Sequence, residues 1–255
     1  MTPRQRERWA PWLLLVAVIL LWEAACRGFG ISEFIFPSPS RIASQLVEFR
    51  GVIAAHAWRT FWVTMVGFGL SIVVGTLLGF VVGSSRLAYA AMYPLMTGFN
   101  AVPKAAFVPI LVVWFGIGVG PAVLTAFLIS FFPITVNIAT GLATLEPELE
   151  DVLRVLGAKR WDVLVKVGLP RSMPYFYASL KVAITLAFVG TTVSEMTAAN
   201  EGIGYLLISA GSAMQMGLAF AGLMVVGAMA MGMYELFSAV EKHTTGWAHR
   251  GSQGE

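Results

Sequence analysis

Apolar residues run along this chain in long blocks instead of alternating with polar ones. A helix needs roughly 20 mostly apolar residues to cross the hydrocarbon core of a bilayer, and six blocks approach that length. They cover about Pro11–Arg27, Thr60–Gly83, Ala88–Gly116, Pro121–Leu142, Tyr175–Thr197 and Met216–Val240. The pattern predicts an all-α fold, a polytopic membrane helical bundle of about six spans. The third block is interrupted by Pro103 and Pro109. Such a break is tolerable where neighbouring helices satisfy the freed carbonyls, and it often lines a cavity.

Two patterns lie within and between these blocks. Phe36-Pro-Ser-Pro-Ser40 forces an extended chain, and Ser38 or Ser40 can cap a short helix running to about Phe49. Ile42, Leu46 and Phe49 are spaced for one face of it, as in a helix lying at the outer interface. Gly67, Ser71, Gly75, Gly79 and Gly83 follow one another every four residues in the second block. On a helix they form one stripe of small residues, which lets another helix approach closely. The regularity favours a tight contact, within the bundle or with a second subunit, over the ordinary tolerance of membranes for glycine.

Composition excludes a soluble domain. Hydrophobic residues make up 57% of the 255 and charged ones 12%, against about 25% charged in soluble proteins. The chain is read as one domain, residues 1–255, with a polar tail from about 244 to 255. The small net charge of +3 comes from basic residues clustered between apolar blocks, which marks topology and not a nucleic-acid surface. With both termini in the cytoplasm, that side holds Arg4, Arg6, Arg8, Arg86, Arg154, Lys159, Arg160, Lys166, Arg171, Lys242 and Arg250. The opposite side holds Arg27, Arg41, Arg50 and Arg59, so the count is eleven against four. The N-terminal arginines before Trp9–Cys26 resemble a signal peptide, and Glu23-Ala-Ala-Cys26 hints at a lipoprotein site. Further apolar blocks follow, so an uncleaved first span is expected. Cys26 is the single cysteine and His56, His243 and His249 are scattered, so no disulfide or Cys/His metal cluster is expected. No Gly-x-x-x-x-Gly-Lys-[Ser/Thr] loop occurs, and no nucleophile–base–acid set is apparent. No catalytic residues and no bound cofactor or metal are therefore expected.

The loop between the fourth and fifth blocks, about 144–172, is the most informative stretch. Pro147 suits a first helical turn, and Glu148, Glu150 and Asp151 favour its positive end. Leu149, Val152, Leu153 and Leu156 fall on one face until Gly157 ends the helix. A second short helix carries Trp161, Leu164 and Val165 on one side and is expected to end at Leu169-Pro170. An exposed apolar elbow between spans needs a cover. It is a docking knob for a soluble subunit, a helix–turn–helix DNA reader or a lipid-surface hairpin.

This loop resembles the cytoplasmic signature of ABC importer permeases, the EAA motif: Glu-Ala-Ala, three residues, Gly, nine residues, Ile, one residue, Leu-Pro. Asp151-Val152-Leu153 stands in the Glu-Ala-Ala place, Gly157 in the glycine place and Val167 in the Ile place before Gly168-Leu169-Pro170. Phe36–Ser40, Val102-Pro-Lys-Ala-Ala106, Trp114-Phe-Gly-Ile-Gly118, Phe131-Phe-Pro-Ile134 and Ser194-Glu-Met196 with Gly202-Ile-Gly-Tyr205 look like segments of the nitrate/sulfonate/taurine branch. The resemblance implies a MetI-like permease fold in the bacterial inner membrane. It implies a second permease copy, two cytoplasmic ATPases that carry the ATP and Mg, and a periplasmic or lipid-anchored binding protein. It also implies coupling through Asp151, Leu153, Leu156, Gly157, Ala158, Lys159, Arg160, Trp161, Leu169 and Pro170, and transport of a small oxyanion or organic solute by alternating access.

Charges at membrane depth are costly and often functional. On that ground Lys104 and Glu195, with Asn100, Trp114 and Asn137 on candidate pore helices, are candidate pathway residues. The structural alternative is that Lys104 and Glu195 snorkel or pair within the fold. The competing function is a secondary carrier or channel without an ATPase. It would be expected to show paired midplane acids and an inverted repeat, and neither is evident.

Overall fold

The computed structural model describes residues 3–143, 152–153 and 155–244, without the side chains of residues 3–8, 160, 161 and 164. Every described regular element is helical. In chain order these are α1 (Pro3–Gly28), α2 (Pro39–Glu48), α3 (Arg50–Gly83), α4 (Arg86–Ala101), a 3-10 turn (Lys104–Phe107), α5 (Val108–Phe115), α6 (Val119–Ala143), α7 (Arg160–Val163), a π turn (Leu164–Gly168), α8 (Leu169–Ala198), α9 (Ile203–Ser212) and α10 (Met216–Thr244). Five stretches are long and apolar enough to cross a membrane: Trp9–Gly28, Arg50–Gly83, Val119–Ala143, Val165–Ala198 and Met216–Thr244. The pair Arg86–Ala101 and Lys104–Phe115, bent by 71°, makes a sixth. The tail from 245 and residues 144–151 and 154 of the first arm of the elbow, Asp151 and Arg154 among them, lie outside the described residues.

The core is a seam of three helices. α6 lies between α3 and α8, and small residues face it from both sides. A Cβ added at Gly67 would come 2.7 Å from Ala126 Cβ, one at Gly79 2.8 Å from Ile138 Cβ, and one at Gly83 2.9 Å from Ala139 Cα. From the other side, Gly190 of α8 abuts Ala126 Cα at 3.0 Å on the same measure. The stripe of small residues therefore makes an intrachain contact. It supplies the close packing that replaces a hydrophobic drive inside a bilayer. Hydroxyls join the same seam: Ser71 Oγ lies 2.6 Å from Ser130 Oγ, and Thr64 Oγ1 lies 2.9 Å from Thr191 Oγ1.

Around this seam the other elements attach by specific contacts. α10 packs on α8, where Lys181 and Glu241 form a largely buried 2.6 Å ion pair. α1 is mostly exposed along its span and is tied at its C-terminal end. There Trp22 stacks on Phe36 (5.1 Å), whose ring meets Phe220 edge-on (5.6 Å). Glu23 accepts from the Ser40 backbone N–H at 2.9 Å and from the Ser40 hydroxyl at 2.7 Å, so its carboxylate caps the start of α2. Glu23 is thus a tie between two helices.

Three expectations are corrected. α3 begins at Arg50, ten residues before the predicted block, because the helix needs no apolar run once its early turns pack on the bundle. On α2 the inward face is Ile42 and Gln45, with Leu46 39% exposed, and Ser38 is the N-cap. Leu169-Pro170 does not end a separate helix. The chain stays helical from Arg160 to Ala198, with Pro170 in the first turn of α8 directly after the π turn. A proline in a first turn removes an N–H that has no obligatory partner there, and the π turn widens the helix at that point.

Gly79→Ala is expected to destabilise the protein by about 1–3 kcal/mol, as overpacking does. Gly69→Ala, which meets no atom within 4 Å on the same helix, is expected to be neutral. Thermal unfolding of both variants in detergent checks the pair.

Candidate functional site

The first candidate region is the elbow. Gly157 has φ +87°, the left-handed conformation glycine adopts without strain. The N–H of Ala158 donates to the Leu153 carbonyl at 3.0 Å, the long bond that closes a glycine-terminated helix end. Val155 and Leu156 are 88% and 77% exposed. Between the arms lies a groove of about 310 Å³ whose walls include Leu153, Leu156, Val163 and Val167. Lys159 is exposed and Ala158 partly so, and Leu169 is 41% exposed. Asp162 pairs with Lys166 at 2.9 Å, and that hydrogen bond and charge hold its carboxyl below the usual range. The backbone of Arg160 and Trp161 begins α7.

The second region is the break between α4 and α5. Val102 and Pro103 are extended, and the chain restarts through the 3-10 turn. This leaves the last carbonyls of α4 without helical partners. Lys104 turns back and donates to the Asn100 carbonyl at 3.1 Å and to Asn100 Oδ1 at 2.7 Å. Its Nζ lies 5.9 Å from the Phe99 ring centroid and 5.7 Å from that of Phe132. Lys104 is 9% exposed. A cation at a helix C-terminus contributes about 0.3–1 kcal/mol, whereas removing an ion from water costs several kcal/mol even after relaxation. Capping alone does not account for a buried ammonium.

The third region surrounds Glu195, which is 2% exposed. α9 opens at Gly202, and three successive N–H groups at its start need acceptors. Each finds one on another helix. Gly202 donates to His56 Nδ1 (3.0 Å), Ile203 to Thr60 Oγ1 (2.8 Å) and Gly204 to Glu195 Oε2 (3.0 Å). Thr60 passes its own proton on to the Glu195 carboxylate at 2.8–3.0 Å. As an acceptor, His56 Nδ1 is unprotonated, so a neutral ring carries its hydrogen on Nε2. A Cβ at Gly202, where φ is +102°, would collide with the Glu195 carboxylate, and one at Gly204 with the Thr192 carbonyl. The Ser-Glu-Met and Gly-Ile-Gly-Tyr segments are thus two halves of one knot. Beside it Arg59 pairs with Glu201 at 3.3 Å, at the edge of a cavity of about 220 Å³ that Glu195 also lines.

Of the candidate pathway residues, the structure brings Asn100 and Lys104 together. Glu195 stands apart in its own knot. Asn137 donates to the Pro133 carbonyl of its own helix at 2.8 Å, and Trp114 is 69% exposed on α5. Thr60 and His56 escaped the sequence reading. Thr64 and Thr60 lie three and seven residues before Gly67, a helical spacing that keeps small polar residues on the face of the Gly67–Gly83 stripe, and that extension was the available signal.

A bent, proline-broken span, a close-packed helical core and a glycine elbow at one end define a polytopic membrane permease without a described catalytic cluster. The chain belongs to the family described as binding-protein-dependent transport system inner membrane component, which matches residues 71–240. It is an ABC importer permease subunit of the MetI type. It is 31% identical over 203 residues to the formylaminopyrimidine transport permease protein ThiX of Halalkalibacterium halodurans, covering 79% of this chain and 81% of that one. It is 24% identical over 240 residues to the taurine transport system permease protein TauC of Escherichia coli, covering 91% and 87%. In fold it matches a chain of the inward-facing MetNI methionine ABC transporter with a TM-score of 0.67 at 16% identity, over 77% of this chain and 98% of that one.

Glu195→Ala leaves the Gly204 N–H and the Thr60 hydroxyl without a buried acceptor, at about 1–3 kcal/mol for each orphaned group. A fall in unfolding temperature well beyond that of Asn137→Ala is expected in the same detergent assay.

Proposed function

We propose that this chain is the translocating subunit of an importer in which the Gly157 elbow is gripped by a cytoplasmic ATPase. Two copies pair, each engages one ATPase, and a binding protein delivers the solute at the opposite face. ATP and Mg belong to the ATPase. The observation that carries the reading is the elbow itself: a glycine-closed turn that presents Val155 and Leu156 to the exterior beside Lys159. Exposed apolar side chains of this kind mark a surface awaiting a partner. Leu153, Leu156, Gly157, Ala158, Lys159, Leu169 and Pro170 are its described contact residues, and Arg160 and Trp161 belong to the same segment. Asp151 stands in its first arm.

The orientation follows from the basic residues: the elbow, the N-terminus and the C-terminus lie in the cytoplasm. Nucleotide-driven closure of the ATPases brings the elbows together and opens the pathway outward, and hydrolysis returns it inward, a rigid-body alternation. Among solutes, the reading favours small organic compounds of the sulfonate and taurine kind, in line with the similarity to a taurine permease.

The test is Gly157→Val. No atom lies within 4 Å of the added Cβ, so the substitution acts only through the left-handed backbone, which a β-branched residue resists. Co-purification of the ATPase is expected to fall at least tenfold with membrane insertion unchanged. Undiminished ATPase recovery would remove the elbow from the mechanism.

A further inference from the structure

Lys104 is buried at the start of the second half of the bent span Arg86–Ala101 plus Lys104–Phe115. Its ammonium faces Phe132, and this part of α6 packs at the level of Gly75, inside the long apolar stretch of α3. The ion pairs formed among the described residues use other cations: Arg27, Arg41, Arg59, Lys166 and Lys181. Among those residues Lys104 has no carboxylate partner within ion-pair distance. An ammonium has three N–H donors, and Asn100 takes two. Asn100 is itself exposed, and its amide oxygen is the side-chain acceptor of the buried charge. Phe99 and Phe132, whose rings flank the ammonium, also line an apolar cavity of about 290 Å³ together with Leu95, Met96 and Phe131.

We infer that Lys104 is a binding point for the anionic oxygen group of a small organic solute, reached by displacing the Asn100 amide oxygen. The exchange replaces a neutral acceptor by a charged one and so adds a Coulomb attraction to a hydrogen bond that has a charged donor already. It also supplies the counter-charge that a cation at this depth otherwise lacks. The aromatic walls and the neighbouring cavity suit a hydrocarbon or ring portion, so an organic sulfonate or carboxylate fits better than a hydrated inorganic ion. The inference rests on the reading of the chain as a translocating subunit and names the solute class that the broken span would meet.

The experiment uses the full chain in membranes with Cys26→Ala, and Ala101→Cys or Ala105→Cys introduced in turn; both positions are exposed and flank Lys104 in sequence. Each thiol is modified with an anionic reagent, 2-sulfonatoethyl methanethiosulfonate, and with a cationic one, its trimethylammonium counterpart. The ratio of the two rates cancels intrinsic thiol reactivity. With Lys104 present the anion is favoured, and Lys104→Met lowers the ratio at least tenfold while Lys104→Arg keeps it. Asn100→Asp, which places a carboxylate beside the ammonium, also abolishes the preference. A ratio unmoved by Lys104→Met, or thiols that neither reagent reaches, overturns the inference. ATPase co-purification with the Lys104→Met chain is measured in parallel. Retained association with an unmoved ratio sinks the anion site alone, whereas failure of the unmodified chain to hold an ATPase sinks the permease reading beneath it.

Discussion

Three backbones converge on Ala126, and the rest of the molecule is arranged around that contact. Gly67 of α3 and Gly190 of α8 meet this fully buried residue from two sides. A bilayer offers apolar side chains no gain from leaving lipid for protein, so helices must be held by close contact and by hydrogen bonds between them. The seam uses both. Small residues bring α3 and α6 within van der Waals reach along most of the membrane depth, and the serine and threonine hydroxyls at Ser71–Ser130 and Thr64–Thr191 fix the register where the backbones are closest. A substitution that adds one carbon at Gly79 acts on the seam as a whole, because neither Ile138 nor the Thr135 carbonyl can retreat without moving α6.

The same economy governs the short helices at the end opposite the elbow. α2 and α9 have ten residues each, too few to be stable alone in water. Both begin where a carboxylate on a long span accepts from their first-turn amides, Glu23 for α2 and Glu195 for α9. Glu23 adds to the local Ser38 cap of α2, whereas Glu195 serves a helix start with no local cap. α9 in particular opens on Gly202 with no capping side chain of its own. His56, Thr60 and Glu195 replace that cap from two other helices, so the position of α9 is fixed by the α3–α8 pairing.

The long elements were legible because their signal is length and apolarity, which a bilayer demands of every span. The stripe from Gly67 to Gly83 and the left-handed Gly157 were legible for a related reason: each is a steric requirement that one residue type meets. What escaped depended on partners distant in sequence. Thr60 and Glu195 are 135 residues apart, and Lys181 and Glu241 are 60 apart. Local pattern carries no term for such pairs. α9 was hidden because its ten residues fall short of a span and its start is secured from outside. The continuity through Pro170 was hidden because a proline after a short amphipathic helix reads as a stop unless the π turn is known.

That continuity has a mechanical consequence. From Arg160 the chain runs without a break in helical structure to Ala198, and Glu195, in its last turn, is bound to α9. At 1.5 Å per residue, the thirty residues of α8 span about 45 Å, enough to cross the bilayer. If force enters at the elbow, the second arm and the span it feeds form one lever, and the cap on α9 is attached to its far end. The π turn lies at the elbow end of this lever, and the 71° bend lies in the α4–α5 break, both away from the α3–α6–α8 contact at Ala126. A tightly packed seam resists bending, so displacement at one end reaches the other as a tilt of the packed unit. The break that holds Lys104 against Phe132 of α6 lies beside that unit, where a tilt changes the space around it without unfolding either helix.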